Sequence, residues 1–321
     1  MALVSVTPCP PAKTPSAAFW RHQPIADQQA LSLAEATLAF HNAVGGDLVK
    51  LTPAGTYQAH ALGLQDSWES DHLGRRTVTF RPITSPHDWQ RLEASLLGQQ
   101  ETHCVQASVW LSARLPAETP LLATVFSPLS QAMQLAGAQQ LIAHARKAPE
   151  AVLQGLEQLT RRTYHLIQAY AEAGVGGIYY VSQHHLAGAL PCSDLQSWGN
   201  HADNRVLQAT QDLPLNIMHF HGNPLTSELP ELPSGWRVHF ESANGNPALK
   251  EWVSHRPEPL MVGLSINTLH RGADPLFRQA TVTQLIEEFP GRELWFGAGC
   301  VLPQDFPLAL AADWVRTTRF K

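Results

Sequence analysis

Cysteine is scarce in this chain and scattered where it occurs. The four residues, Cys9, Cys104, Cys192 and Cys300, form no CxxC pair, which argues against a disulfide framework or a zinc ribbon. Long apolar runs are missing as well, since no stretch approaches the roughly 18 uninterrupted apolar residues of a membrane span. Residues 1–16 carry Pro8, Pro10, Pro11 and Pro15 where a signal peptide needs an apolar core. The expectation is a disordered N-terminal tail over 1–16, one domain over 17–321 and a cytoplasmic location. Basic charge is also lacking: the net charge is −5 and Lys or Arg never run beyond two residues. Neither nucleic acid nor a membrane is therefore an expected partner, and a small molecule is. The glycines GVGG at 174–177 lack the spacing of a dinucleotide fingerprint.

What is present is enough apolar sequence for a large core, 44% of 321 residues, arranged with a clear rhythm. Eight short β-branched or apolar runs stand at 17–22, 47–53, 121–127, 177–183, 215–221, 236–241, 260–266 and 294–300. Helical patterns at 27–44, 129–135, 149–173, 194–207, 247–254, 277–288 and 306–316 fall between them. Pro149 suits a first helical turn and Gly174 a position just past a helix end. Strand alternating with helix means a parallel sheet buried on both faces. Eight such units point to an α/β fold of (β/α)8 TIM-barrel type, because closure removes the exposed edges an open sheet would leave. The stretch 58–120 fits less well. Its alternating run RRTVTFR at 75–81 and a helical pattern at 88–97 read as an insertion, a hairpin or lid, between the second and third strands.

In a barrel of this kind the C-terminal strand ends converge on one mouth. The residues expected there are Arg21 and His22, then Ser182, Gln183, His184 and His185, then His219 and His221, then Glu241, Asn267 and Cys300. Strand periodicity places His219 and His221 on one face with Phe220 turned away. Two imidazoles so held make half a metal site, and Glu241 and Cys300 are candidates for the other two ligands, a nitrogen, oxygen and sulfur set that zinc accepts. The competing reading is a metal-free polar mouth in which the two histidines bind a carboxylate or act as acid and base, with Cys300 an inert buried thiol. Arg21 is a candidate for gripping a carboxylate. Ser182, Gln183, His184 and Asn267 are candidates for hydrogen bonds to substrate.

The blocks FWRH at 19–22, DLVKLTPAGTY at 47–57, FSPLSQAMQLAG at 126–137, HFHGNP at 219–224 and FGAGCVLPQDFP at 296–307 occur in the order of the uroporphyrinogen decarboxylase superfamily, which the chain resembles from about residue 17 onward. The resemblance implies a (β/α)8 barrel and one of two chemistries. True decarboxylases carry RQAGRY near the N-terminus, whose arginines hold tetrapyrrole carboxylates; here WRHQPI stands instead and only Arg21 matches. Ser182 matches their substrate-contacting serine, and FGAGC replaces their NLGHG block. The second branch resembles zinc-dependent methyltransferases that move a methyl group from a corrinoid to a thiol, with cobalamin-independent methionine synthase as a more distant relative. Their zinc ligands, an H-x-C, a glutamate on the next strand and a cysteine on the last, fall on His219, Glu241 and Cys300, with His221 where cysteine stands. The resemblance thus implies a zinc cofactor, catalytic His219, His221 and Cys300, thiol and methyl-donor substrates and a separate corrinoid protein as partner. Its alternatives are a cofactor-free decarboxylase of a tetrapyrrole or smaller carboxylate, and a non-catalytic barrel that binds a tetrapyrrole or corrinoid.

Overall fold

The computed structural model describes residues 15–93, 97–190, 193–222, 224–225, 229–241, 256 and 258–319. Each of the eight expected runs forms a strand: β1 Ser16–Ala17, β2 Val49–Leu51, β5 Leu121–Phe126, β6 Gly177–Ser182, β7 Ile217–Phe220, β8 Arg237–Glu241, β9 Leu260–Leu264 and β10 Leu294–Ala298. A short antiparallel pair, β3 Gln65–Ser67 and β4 Thr77–Phe80, lies apart from them. The tail expected over 1–16 falls mostly outside the described residues, but Ser16 already pairs with Trp295 and is part of the barrel.

The eight strands run parallel in the order β1, β10, β9, β8, β7, β6, β5, β2. The seam between the two ends of that order is sealed through Asp47, whose backbone N–H donates to the Ala17 carbonyl at 2.8 Å. Its side chain accepts from the Ala17 N–H at 2.7 Å. β5, β6, β9 and β10 are buried at every position, as a sheet enclosed by helices outside and packed side chains inside must be.

The surrounding helices are α1 Ala30–Val44, α2 Tyr57–His60, α3 Gln99–Ser112, α4 Pro128–Ala136, α5 Ala138–Lys147, α6 Pro149–Glu172, α7 Ser193–Leu207, α8 Ile266–Arg271, α9 Pro275–Glu288 and α10 Leu308–Arg319. The helix expected at 247–254 lies outside the described residues. Local chemistry sets several boundaries. Ser127 and Asp274 accept N–H bonds at the starts of α4 and α9, each followed by proline at the first position. Gly174, with φ 80°, follows α6 in the left-handed region where a side chain would be strained.

The segment 58–120 corrects the expectation of a simple insertion. Residues Pro86–Arg91 form a short 3-10 helix instead of the α-helix expected at 88–97. The α-helix is α3, which packs against α1 as a regular member of the outer ring. Its pattern was hidden because its buried face carries Glu101, Cys104, Ala107 and Ser108 beside Leu111, too small and polar to register as an apolar stripe. Among the described residues, α2, the β3–β4 hairpin and the 3-10 helix all stand between β2 and α3. The hairpin is held by Asp66, which accepts from Arg76 Nε at 2.6 Å and contacts His60 Nε2 at 2.7 Å and Thr56 Oγ1. The link between its strands is tied to the loop after β10, where Gln304 N–H donates to the His72 carbonyl at 2.8 Å.

Candidate metal centre

The strands end on a cavity of about 300 Å³. Period two along each strand decides what faces it. From the β1 end come Trp20 and His22, from β2 Lys50 and Thr52, from β6 Tyr179, Val181 and Gln183, from β7 His219 and His221, and after β10 Cys300. The hairpin adds Leu73, Arg75 and Arg76 as a cover.

Four residues expected at the mouth stand away from the cavity. Arg21, between Trp20 and His22, is turned outward, donating to the Gln304 carbonyl at 2.9 Å with its guanidinium over the Phe40 ring. Ser182 and His184 are wholly buried behind the wall. The Ser182 hydroxyl pairs with His185 Nδ1 at 2.6 Å and His184 Nδ1 at 3.1 Å, and His184 Nε2 sits 3.7 Å from Asp203. Asn267 is exposed in the first turn of α8, because β9 ends at Leu264 and Ser265 already caps that helix. Gln183 does face the cavity, within 3.3 Å of Gln134 Nε2.

His219, His221 and Cys300 come together. One donor atom from each lies within 4.8 Å of the others, a spacing fit for one metal ion. Cys300 Sγ is 3.6 Å from His221 Nδ1. Burial alone would raise the Cys300 thiol, but the charge and hydrogen bond of His221, with Lys50 behind them, hold it below its ordinary value. The His221 ring, which burial would lower, is raised by that thiolate. His219 is the most telling member. It is 2% exposed, and neither ring nitrogen makes a well-formed hydrogen bond among the described residues, the His239 backbone alone being close enough to act on the ring. Burial, then the rings of His239 and His221, push its pKa well down, so it is a neutral imidazole with an available lone pair. Leaving such nitrogens buried and unmatched costs free energy unless something binds there.

Glu241, the fourth expected ligand, stands outside this trio. It lies against Gly299, where an added Cβ would fall 2.7 Å from the Glu241 carboxyl carbon, so glycine before Cys300 is a steric requirement. Its charge is felt at His221. Three protein donors with an open position are what catalytic zinc sites present, whereas structural sites are closed by four.

The support beneath His219 was not foreseen. Tyr179 stacks on its ring at 5.3 Å, and the His239 ring lies tilted against it at 4.7 Å. His239 Nε2 is 3.0 Å from the Ala298 carbonyl, which fixes a proton on that nitrogen and leaves Nδ1 to accept from Tyr179 OH at 2.5 Å. Burial, the largest cause, lowers His239 to about 3. A histidine whose folded pKa is depressed stabilises the fold above its unfolded value near 6.5 and loses that contribution as pH falls below it. His239→Gln should therefore show a flatter loss of stability than the parent between pH 7 and 5, the difference approaching about 2 kcal/mol at pH 5. Urea denaturation at the two pH values measures it, and parallel pH profiles would contradict the assignment.

Comparison with known proteins follows the same lines. A family model described as uroporphyrinogen decarboxylase (URO-D) matches residues 23–319. No curated protein matches the sequence. Among solved structures, a methyltransferase from Methanosarcina mazei superposes with a TM-score of 0.76 at 16% identity, over 95% of this chain and 93% of that one. A putative vitamin-B12-independent methionine synthase from Listeria monocytogenes gives 0.59 at 13% identity, over 95% of both chains. A B12-independent methionine synthase from Shewanella sp. W3-18-1 gives 0.59 at 11%, over 96% and 92%. At these identities the likeness establishes the fold. No helix of the described residues is long and apolar enough to cross a membrane.

Proposed function

The chain belongs to the uroporphyrinogen decarboxylase family, and within it we propose that it is a zinc-dependent methyltransferase passing a methyl group from a corrinoid or similar donor to a small thiol. The observation that carries this reading is the buried, unmatched His219 imidazole within donor range of His221 and Cys300. His219, His221 and Cys300 would hold zinc, which would supply the Lewis acidity that lowers the pKa of a substrate thiol. The names of two kinds of structural neighbour, a methyltransferase and methionine synthases, point the same way.

The residues divide the work. Trp20, Leu73 and Phe126 line the cavity with apolar surface that excludes water. His22 Nδ1 is 3.1 Å from the Pro53 carbonyl and so carries the proton, leaving Nε2 as an acceptor for a substrate donor. Burial lowers that ring to about 4, which keeps it neutral at physiological pH. The acceptor sulfur pair attacks the methyl carbon, the methyl–donor bond breaks with its electrons leaving on the donor, and the product is a thioether. A separate corrinoid protein presenting that donor at the mouth is the expected partner.

The rival reading, decarboxylation of a tetrapyrrole, would need arginine at the N-terminal block, and Arg21 is turned away from the cavity. The test is incubation of zinc-loaded protein with methylcobalamin and a panel of thiols, followed by mass spectrometry. A thioether that forms with zinc and not after chelation supports the reading. Carbon dioxide release from uroporphyrinogen by protein that binds no zinc overturns it.

A further inference from the structure

Lys50 sits in the middle of β2, a strand whose neighbours Val49 and Leu51 are apolar core. It is 6% exposed and lines the cavity. Its Nζ lies 4.5 Å from the Tyr179 ring centroid and 5.1 Å from that of Trp20, an aromatic cradle that favours a cation. One N–H reaches Thr52 Oγ1 at 3.2 Å. An ammonium has three donors, and among the described residues no carboxylate pairs with this one. The other cations facing the cavity are engaged, Arg75 with Asp71 and Arg76 with Asp66. The anionic group whose charge reaches Lys50 is the Cys300 thiolate. That thiolate faces His221 Nδ1 at 3.6 Å and raises its ring, so the buried ammonium has no counter-ion of its own, an arrangement that protein interiors avoid.

We propose that Lys50 is the specificity-determining residue of the cavity, holding a small anionic group, a carboxylate, sulfonate or phosphonate, on the molecule that enters. Its placement beside the reacting thiol rests on the methyltransferase reading, whereas its charge-binding role does not. Burial lowers Lys50 to about 7, and an anion beside Nζ would raise it again and hold the amine in its charged form. The cavity's anion grip thus belongs to β2, where Arg21 was expected to supply it from β1.

The experiment uses the full chain and three probes: 3-mercaptopropionate, its uncharged counterpart 3-mercapto-1-propanol, and butyrate. With zinc-loaded protein, calorimetry should show the anionic thiol binding at least about tenfold more tightly than the neutral one. That preference should fall to within about threefold in Lys50→Met and persist in Lys50→Arg. Butyrate should bind the parent with or without zinc, so a protein that takes butyrate through Lys50 but neither thiol would retain this inference while sinking the methyltransferase reading. If Lys50→Met does not fold, reductive methylation of the parent followed by mass spectrometry gives the same answer, because bound butyrate should slow Lys50 modification at least about threefold. An undiminished preference for the anionic thiol in Lys50→Met, or Lys50 modified equally fast with and without butyrate, overturns the proposal.

Discussion

Cys300→Ala is expected to reduce zinc from about one ion per chain to below about a tenth of that, and to abolish thioether formation with it. Cys300 is the anionic donor of the trio, and its replacement leaves two neutral imidazoles to hold a dication in a buried wall. Outer-shell changes at zinc sites already cost about 10–100-fold in affinity, so loss of a charged ligand should exceed that range. His219→Ala should behave similarly. Cys104→Ala is the control: Cys104 lies on the buried face of α3, burial pushes its thiol far up, and zinc content should not change. His221→Cys is the informative gain, since a second thiolate makes the site softer and should tighten zinc. Metal analysis of tag-free protein measures all four. Equal zinc in the parent and in Cys300→Ala would sink the proposed centre, and with it the methyltransferase reading.

The barrel could be read from the chain because its strands obey two simple rules. Each run is apolar enough to be buried on both faces, and most are followed by helix-forming sequence, some with capping chemistry such as Ser127 before Pro128 or Asp274 before Pro275. The pairing of His219 with His221 was legible for the same reason, since alternation along β7 leaves Phe220 in the wall behind them. Alternation applied evenly would also have removed Arg21 and Ser182 from the site, because each lies between cavity-facing neighbours. Asn267 failed differently: Ser265 is a helix cap, and no pattern of apolar residues reveals where a strand stops and a cap begins. Lys50 was visible as a charge at the centre of the 47–53 run, which a buried parallel strand should not tolerate. Tyr179 and His239 could not be foreseen. Their role depends on ring stacking between β6, β7 and β8, which is a property of register across strands and leaves no trace along any one of them.

Glu101→Ala should destabilise the fold by about 3–5 kcal/mol, the usual cost of stranding one member of a buried ion pair. Glu101 is 1% exposed and Arg162 is 3% exposed, and they bridge α3 to α6 through a short contact. Glu101 also accepts the Gly98 N–H at 2.7 Å, closing the start of α3. Removing the carboxylate leaves the buried Arg162 guanidinium of α6 without its charge partner on α3. Glu101→Leu combined with Arg162→Met, which removes both charges and keeps the volume, should recover most of the loss. Guanidinium denaturation of the two single variants and the double variant measures the coupling. The result also decides what 99–112 is. A lid resting on the barrel would open on losing Glu101 and leave global stability within about 0.5 kcal/mol of the parent. A wall helix, packed on α1 and β5, carries the loss into the whole domain, and through the pairing of β5 with β2 into the position of Lys50. A loss confined to about 0.5 kcal/mol, or a double variant no more stable than Glu101→Ala, would return the segment to the status of an insertion.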